Sequence, residues 1–223
     1  MFWKEDKSNL RIAASLLSAD FAHLADEIKH VTDAGIDQIH IEVCDGVFAP
    51  SLTVGAPVIK SLRNVTEAVL EAHVMAIQPE RKIEELAKAG ADLITFHIEA
   101  TDHAQSVIHR IKGAGSKAGV ALNPATPLSS IEEILYDVDV VLLMTAIPGA
   151  AGQPLLKHSL DKVKRLHNII RENNYDCWLE VDGGVTIDNA ASLREAGANI
   201  LVAGSAIYKS TDVWASAALL KGE

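Results

Sequence analysis

The sequence has few cysteines and no long apolar run. Its two cysteines, Cys44 and Cys177, are far apart and form no CxxC pair, so neither a disulfide scaffold nor a zinc ribbon is indicated. The longest uninterrupted apolar stretch, residues 140–144, is much shorter than the roughly 18 residues that span a bilayer. Residues 1–7 carry charges where a secretory signal needs apolar residues. We therefore expect a cytoplasmic protein with no membrane partner.

Positive charge is also scarce. Twenty lysines and arginines face thirty aspartates and glutamates, which gives a net charge of −10. Nucleic acids and anionic membranes both favour a basic surface, so we expect no nucleic-acid partner and a small molecule as ligand. Linker-like segments are absent as well, and 48% of the 223 residues are hydrophobic. These features predict one domain that covers residues 1–223.

A recurring phrase organises the chain. AGIDQI, AGADLI and AGANIL stand at residues 34–39, 89–94 and 196–201, each after a helix-like stretch and before an apolar run. Their offsets fit units of about 27 residues, and so about eight modules in all. Glycine ends a helix at low cost because it adopts the left-handed conformation without a Cβ clash. The phrases therefore predict helix-to-strand joints.

Eight apolar runs recur at this interval. They predict strands at residues 11–16, 38–43, 68–74, 93–97, 118–122, 138–144, 178–181 and 200–203. Amphipathic stretches between them predict helices, among them residues 21–32, 79–88 and 161–173. Mostly apolar runs are typical of parallel strands that are covered on both faces. Eight strand–helix alternations predict an α/β fold, a single-domain (β/α)8 TIM barrel, with a doubly wound open sheet as the alternative.

Four polar side chains stand near the carboxyl ends of three predicted strands, where barrels of this kind carry their chemistry. His40 and Glu42 are two residues apart and so share one strand face, His73 ends the third strand, and Asp182 ends the seventh. Each alone is more often a hydrogen-bonded strand residue. Together they predict a site for one divalent ion (Zn, Mn, Fe(II) or Co), which would offset the burial of two carboxylates. For His97, after the fourth strand, we favour no direct role.

Glycine-rich turns follow the sixth, seventh and eighth predicted strands. Such turns expose backbone N–H groups beside helix starts, and in barrels the late loops commonly hold a phosphate. We therefore expect a phosphorylated metabolite as ligand. No GxxxxGK[ST] or strand-linked GxGxxG is present, which counts against nucleoside triphosphates and dinucleotides. The predicted phosphate-binding residues are Gly149, Ala150, Ala151, Gly152, Gly183, Gly184, Gly204 and Ser205.

Several ordered segments lie between about residue 12 and residue 208: SLLSAD at 15–20, HIEVCDG at 40–46, HVM at 73–75, LNPATP at 122–127, MT at 144–145, PG at 148–149, EVDGGV at 180–185 and AGSA at 203–206. In this order they resemble the ribulose-phosphate 3-epimerase family. The resemblance implies a metal-dependent isomerase of the pentose phosphate type that inverts C3 of a phosphorylated ketose. The implied substrate is ribulose 5-phosphate, which becomes xylulose 5-phosphate, or a close analogue such as a hexulose 6-phosphate.

The resemblance also implies roles for individual residues. Metal ligands are implied at His40, Glu42, His73 and Asp182, and the acid/base pair at Glu42 and Asp182. Substrate contacts are implied at Ser15, His73, Met75 and Met144. Epimerisation removes a proton from one face of C3 and returns one to the other, so two carboxyl groups suit the reaction, each contributing about 10²–10⁴-fold.

Some positions depart from the family pattern. Glu42 stands where aspartate is usual, Cys44 where methionine is usual, and Ala150 and Ala151 where phenylalanine and glycine are usual. An extra methylene moves a carboxylate by about 1 Å, and a misplacement of that order can lower a rate about 10²-fold. Two alternatives therefore stay open. The first is a different enediolate reaction on a sugar phosphate, which is disfavoured because the second strand lacks the lysine of the related decarboxylases. The second is a non-catalytic phosphometabolite-binding barrel. A homo-oligomer is compatible with the sequence.

Overall fold

The structure, a computed structural model, describes residue 7 and residues 9–149 and 152–223. Each of its eight strands pairs in parallel with the next, and the last pairs with the first, so the sheet is a closed barrel. The predicted barrel is confirmed, and the open-sheet alternative is wrong because no strand of the barrel has a free edge. The strands are β1 Arg11–Ser15, β2 Gln38–Cys44, β3 Val69–Met75, β4 Leu93–His97, β5 Lys117–Leu122, β6 Val140–Met144, β7 Trp178–Asp182 and β8 Ile200–Ala203.

Helices connect the strands around the outside of the barrel. They are α1 Leu24–Asp33, α2 Ala56–Arg63, α3 Ile83–Ala89, α4 Ala104–Gly113, α5 Ser159–Glu172, α6 Ile187–Glu195, α7 Ser205–Tyr208 and α8 Val213–Lys221. The predicted helix from residue 21 begins only at Leu24, because the Asp20 carboxylate accepts the Ala22 N–H at 2.9 Å and residues 21–23 form a turn. Between β5 and β6 the described chain forms two 3-10 turns, Leu128–Ser130 and Glu132–Ile134, in place of an α-helix.

The recurring alanine-glycine phrases are helix-to-strand joints, as predicted. Gly35, Gly90 and Gly197 follow α1, α3 and α6 with φ of 82°, 105° and 104°. Space also requires glycine at two of them, since a Cβ on Gly90 would lie 2.8 Å from Cγ of Arg63, and one on Gly197 would lie 2.2 Å from the His167 ring. Each joint delivers the chain into the next strand of the barrel.

Alternate strand residues point outward to the helices or inward to the barrel axis. The outward residues, such as Ile12 and Phe96, form one large core with the helices. The inward residues near the amino ends form a small apolar cluster of Ala13, Leu93, Val140, Trp178, Ile200 and Val202. Other inward residues are polar and buried: Gln38, His40, Glu71, His73, Thr95 and Glu180. Buried polar groups are costly unless they are satisfied, and barrels of this kind carry their chemistry at the carboxyl ends of the strands. We therefore expect the functional site where these polar residues approach that end.

Some expectations stay predictions. No helix in the described ranges is both long enough and apolar enough to cross a membrane. Residues 1–6, on which the expectation of no secretory signal depends, lie outside the described residues. The cytoplasmic location and the assignment of residues 1–223 to one domain therefore stay predictions.

Candidate active site

The carboxyl ends of the strands open onto a cavity of about 270 Å³, near the lower end of ordinary small-molecule sites, roughly 300–1,000 Å³. Six strands contribute residues to its lining: Ser15 of β1, Glu42 of β2, Met75 of β3, Met144 of β6, Asp182 of β7 and Val202 of β8. The late loops contribute Gly149, Gly152, Gly183, Gly184, Gly204 and Ser205. The structure thus brings most of the sequence-predicted site residues to one cavity.

His40, His73 and Asp182 form a compact set of potential metal ligands. Asp182 lines the cavity, whereas the two imidazoles lie outside its lining. His40 Nε2 lies 3.0 Å from His73 Nδ1, and Asp182 Oδ2 lies 3.8 Å from the first and 3.9 Å from the second of these nitrogens. Both imidazoles are fully buried. Parallel register places them together, because β2 pairs Glu42 with His73 of β3, and His40 comes two residues earlier on the same inward face.

Glu42 lines the cavity but belongs to neither of the two three-residue donor groups of the described residues, which are His40, His73 and Asp182, and His40, Glu71 and Glu180. Its Oε1 accepts a hydrogen bond from Ser15 Oγ at 2.5 Å. Its Oε2 is buried and has no hydrogen-bond partner among the described residues. Because an unsatisfied buried acceptor costs about 1–3 kcal/mol, this oxygen is available to a further ligand at the cavity floor.

Two fully buried carboxyl groups behind His40, those of Glu71 and Glu180, were missed by the sequence analysis. Glu71 Oε2 lies 2.7 Å from His40 Nδ1 and accepts from Gln38 Nε2 at 2.7 Å, while its Oε1 accepts from Thr95 Oγ1 at 2.6 Å. Glu180 Oε1 accepts from Gln38 Nε2 at 3.2 Å and lies 3.7 Å from His40 Nδ1. Since both Glu71 oxygens already have donors, this carboxylate orients His40.

A sequence signal for these two carboxyl groups exists. Glu71 stands two residues before His73, and Glu180 stands two residues before Asp182. The period of two in a strand therefore directs each pair to the same inward face. The pKa values of the two carboxyl groups are shifted in opposite directions. Burial and the charge of Glu71 raise the pKa of Glu180 well above its ordinary value. The charge and the hydrogen bond of His40 outweigh burial at Glu71 and lower its pKa.

Burial and neighbouring charges also shift the predicted ligands. Burial alone would lower the pKa of His40, but the neighbouring carboxyl groups of Glu71, Glu180 and Glu42 together outweigh it and raise that pKa well above its ordinary value. Burial, followed by the charge of His40, lowers the pKa of His73 well below its ordinary value. Burial raises the pKa of Asp182 to about 7. The pKa values of the two neighbouring imidazoles are therefore shifted in opposite directions.

His97 is buried in contact with His73 rather than in the lining of the cavity. Its Nε2 lies 2.9 Å from His73 Nε2, and its Nδ1 lies 3.2 Å from Oε2 of Glu99. The sequence analysis favoured no direct role for His97 and did not identify Glu99. Both side chains belong to the polar network that continues from the floor of the cavity.

The turn after β7 is tightly packed. Gly183 and Gly184 have φ of 116° and 72°, and a Cβ on Gly184 would lie 2.3 Å from the Leu155 backbone nitrogen. Thr145 Oγ1 donates to the Gly183 carbonyl at 2.5 Å and holds this turn against the end of β6. Among the described residues that line the cavity there is no lysine or arginine. Backbone N–H groups and hydroxyls, such as those of Ser18, Thr186 and Ser205, are therefore the donors available to an anion here.

The predicted phosphate-binding residues Ala150 and Ala151 lie outside the described residues. The other predicted members of that set all line the cavity: Gly149, Gly152, Gly183, Gly184, Gly204 and Ser205.

The donor set fits a divalent metal ion. Two imidazole nitrogens and one carboxylate oxygen lie within 4.8 Å of one another, and the free Oε2 of Glu42 is buried as well. The second nitrogen of His40 faces a carboxylate, an arrangement that is usual for metal-ligating histidines. Imidazole with carboxylate suits several first-row divalent ions. These residues can therefore hold a metal ion.

Comparison with known proteins places this site in a family. Residues 11–208 match the ribulose-phosphate 3-epimerase family profile. The chain is 47% identical over 204 residues to the ribulose-phosphate 3-epimerase of Bacillus subtilis, covering 91% of this chain and 94% of that protein. It is 45% identical over 208 residues to the chloroplastic ribulose-5-phosphate-3-epimerase of Arabidopsis thaliana, covering 92% of this chain and 74% of that protein.

Solved structures share the fold at lower identity. A 3-hexulose-6-phosphate synthase from Salmonella typhimurium superposes with a TM-score of 0.73 at 20% identity, covering 96% of this chain and 97% of that one. A 3-keto-L-gulonate-6-phosphate decarboxylase from Vibrio cholerae gives a TM-score of 0.72 at 17% identity, covering 96% of both chains. These similarities show the barrel alone. The family match and the closely similar relatives extend over most of the sequence, and so the chain belongs to the ribulose-phosphate 3-epimerase family.

Proposed function

We propose that this chain is an isomerase that interconverts ribulose 5-phosphate and xylulose 5-phosphate by inverting C3. The observation that carries the proposal is the pair of carboxyl groups, Glu42 and Asp182, on one small cavity of a chain 47% identical to a curated ribulose-phosphate 3-epimerase. The two groups come from β2 and β7, which are not neighbours in the barrel. Separate strands thus supply the two groups, and we propose that they lie on opposite faces of C3, as epimerisation requires.

In this mechanism the carboxylate of one residue removes the C3 proton and the carboxyl group of the other returns a proton to the opposite face. Ser15 holds one oxygen of Glu42, and the other oxygen has no hydrogen-bond partner among the described residues. The pKa of Asp182, raised to about 7 by burial, suits a group that exchanges protons near neutral pH. Met75 and Met144 supply an apolar wall that keeps water from the reacting carbon.

One divalent ion, Zn, Mn, Fe(II) or Co, is the proposed cofactor, and His40, His73, Asp182 and Glu42 would hold it. The fit of their donor atoms supports this assignment. When bound, such an ion supplies positive charge that stabilises the negative charge of an enediolate by several kcal/mol. His40 and His73 must offer unprotonated nitrogens to it, so binding releases protons.

The phosphorylated end of the substrate is proposed to lie against the late loops. Gly149, Gly152, Gly183, Gly184, Gly204 and Ser205 supply backbone N–H groups there. A Cβ on Gly204 would lie 2.4 Å from Ser18 Oγ, so the backbone of this turn is close to the loop after β1. Backbone donors without side-chain cations are a common way to hold a phosphate.

The proposal is tested by incubating metal-loaded protein with ribulose 5-phosphate in deuterium oxide. We expect deuterium at C3 and formation of xylulose 5-phosphate, followed by nuclear magnetic resonance. Glu42→Gln and Asp182→Asn should lower the rate at least about 10²-fold, because each removes one proton-transfer group. Glu84→Gln, a change in an exposed ion pair with Arg110, is the control. Neither exchange nor product in the wild type would reject the proposal.

The variant Glu42→Asp distinguishes the proposed epimerase from the non-catalytic or retuned barrel. A rate close to that of the wild type would show that Glu42 serves the reaction as aspartate does elsewhere in the family. A large gain in rate with unchanged affinity for inorganic phosphate would favour a non-catalytic or retuned barrel. A different enediolate reaction would appear as release of carbon dioxide from a sugar acid phosphate. A homo-oligomer stays a prediction, as does the cytoplasmic location.

A further inference from the structure

A chain of buried side chains leads from the proposed metal site to the loop after β4. His40 Nε2 lies 3.0 Å from His73 Nδ1, His73 Nε2 lies 2.9 Å from His97 Nε2, and His97 Nδ1 lies 3.2 Å from Glu99 Oε2. All three imidazoles are fully buried. Each contact joins two ring nitrogens or a nitrogen and a carboxylate, so it is a hydrogen bond only if one of the two atoms carries a proton. Because a neutral imidazole has one N–H group and one acceptor nitrogen, the hydrogen bonds from His40 to Glu99 must all point the same way.

Glu99 sets that direction because a carboxylate only accepts hydrogen bonds. Its Oε1 accepts from the Asn123 N–H at 2.8 Å and from the Thr126 hydroxyl, which leaves Oε2 for His97. Burial alone would raise the pKa of Glu99, but the hydrogen bonds from His97, Thr126 and Asn123 lower it to about 2. Glu99 is therefore ionised at any pH at which the protein works.

The proton order then follows from the acceptor at the end of the chain. His97 must carry its proton on Nδ1 to donate to Glu99, so its Nε2 is an acceptor. His73 must then carry its proton on Nε2 to donate to His97. This leaves the lone pair of His73 Nδ1 directed at His40 and Asp182, the position in which it can bind a metal ion.

We propose that Glu99 is a positioning residue that acts through His97 to fix the proton of His73 on Nε2 and so keep Nδ1 free as a metal ligand. The inference rests on the proposed function, because it gives His73 the role of a ligand there. It adds a second carboxylate to the site: Glu71 orients His40 directly, and Glu99 orients His73 through one intervening ring.

The surrounding loop holds Glu99 in place. Lys162 of α5 is buried, and its ammonium donates to the carbonyls of Asn123, Pro124 and Thr126 at 2.9, 3.2 and 2.7 Å. This fixes the segment whose N–H and hydroxyl groups bind Oε1 of Glu99. The orientation of the carboxylate is thus determined by the loop after β5 and not by His97 alone.

Glu99→Gln should reverse the chain. The amide oxygen must still accept from the Asn123 N–H, so the amide NH₂ faces His97 Nδ1 and donates to it. His97 would then carry its proton on Nε2 and donate to His73 Nε2. The His73 proton would move to Nδ1, and His40 Nε2 would release its proton to solvent and accept from His73. A proton on that atom blocks metal binding.

The first test reads histidine protonation directly, by ¹⁵N nuclear magnetic resonance of the metal-free protein with labelled histidine. We expect His73 to be protonated on Nε2 in the wild type and in Glu99→Asp, and on Nδ1 in Glu99→Gln. Glu84→Gln, which removes a charge from an exposed ion pair, should leave the spectrum unchanged. If Glu99→Gln does not fold, the wild type still decides, because a proton on His73 Nδ1 there overturns the proposal.

The second test measures the affinity for Zn²⁺ and Mn²⁺ by competition with a chelating dye. Loss of an outer partner typically weakens metal binding about 10–100-fold, so we expect a weakening of that size in Glu99→Gln, partial recovery in Glu99→Asp and no change in Glu84→Gln. A wild type that binds neither ion would refute the metal site of the proposed function, while the spectrum would still report on His73. If the wild type binds metal and Glu99→Gln changes neither the metal affinity nor the protonation of His73, the role of Glu99 is refuted while the proposed metal site stands.

Discussion

At the residue scale, the site depends on how each buried carboxyl group is held. Glu71 has donors on both oxygens, whereas Glu42 has one on Oε1 and none on Oε2 among the described residues. The longer side chain of Glu42 is therefore held by a single partner, Ser15. That hydrogen bond determines where the free oxygen points, and so whether glutamate can take the place of the usual aspartate.

Ser15→Ala tests this dependence. A hydrogen bond to a charged group is worth about 1.5–3 kcal/mol, and about 1.4 kcal/mol of barrier corresponds to tenfold in rate, so we expect kcat to fall about 10- to 100-fold. Steady-state assays of xylulose 5-phosphate formation would measure it. Ser61→Ala, which removes a hydroxyl bonded to the Pro57 carbonyl on the exposed side of α2, should leave kcat unchanged. A Ser15→Ala enzyme within twofold of the wild type would contradict the role of this hydrogen bond.

At the element scale, the turn after β4 and the connection from β5 to β6 stabilise each other through Glu99. Its folded pKa, about 2, lies below the ordinary 4.5, so its contribution to the free energy of unfolding is complete above about pH 4.5 and is lost as the pH falls toward 2. We expect Glu99→Gln to be less stable than the wild type by about 1–3 kcal/mol at pH 7, with a difference that shrinks below pH 4.5. Urea unfolding across this pH range would measure it, and a pH-independent difference would contradict the linkage.

Close packing between β4 and β5 predicts a stability effect at Gly119. A Cβ on Gly119 of β5 would lie 2.2 Å from Thr95 Oγ1 and 3.2 Å from the Thr95 Cα. Because the backbone of β4 cannot move freely, we expect Gly119→Ala to destabilise the protein by about 1–3 kcal/mol in urea unfolding. The same change at Gly113, where a Cβ would meet nothing within 4 Å, should be neutral or slightly stabilising. Equal effects at both positions would show that packing is not the cause.

At the scale of the whole molecule, the two ends of the barrel interior differ: the amino end is packed with apolar side chains, and the carboxyl end carries the proposed active site. At the amino ends the guanidinium of Arg11 lies 4.0 Å from the ring centre of Trp178, within the apolar interior cluster. At the carboxyl ends lie Asp182 and the cavity. Trp178 and Asp182 are on the same strand and face inward, four residues apart. Residues at the amino ends of barrel strands generally serve stability.

Trp178→Phe tests this separation. We expect a loss of about 1–3 kcal/mol in urea unfolding, from the smaller ring and the weaker contact with Arg11, with kcat within twofold of the wild type. Trp214→Phe is the matched control, because this side chain is 50% exposed on α8 and should change stability little. A large fall in kcat at unchanged stability would show that the two ends of the barrel are coupled.

Much of the fold and part of the site were accessible from the sequence. All eight predicted strands are confirmed within one or two residues at each end, because apolar runs and glycine joints are local signals. The ligand set at His40, His73 and Asp182 followed from polar residues at strand ends. Glu71 and Glu180 carried the same period-of-two signal but were not predicted, because in β3 and β7 the prediction included only the polar residue nearest the carboxyl end. Glu99 carried no such signal, since it lies in a turn after its strand.

The sequence by itself determined the barrel, the family and the residue types at the strand ends. These properties depend on local conformational preference and on the order of the segments along the chain. Only the tertiary structure decided that Ser15 bonds Glu42, that His73 meets His97, and that Glu99 ends the chain of imidazoles. Those contacts join side chains from different strands and loops, and their distances are set by barrel closure and strand register, which no single segment contains.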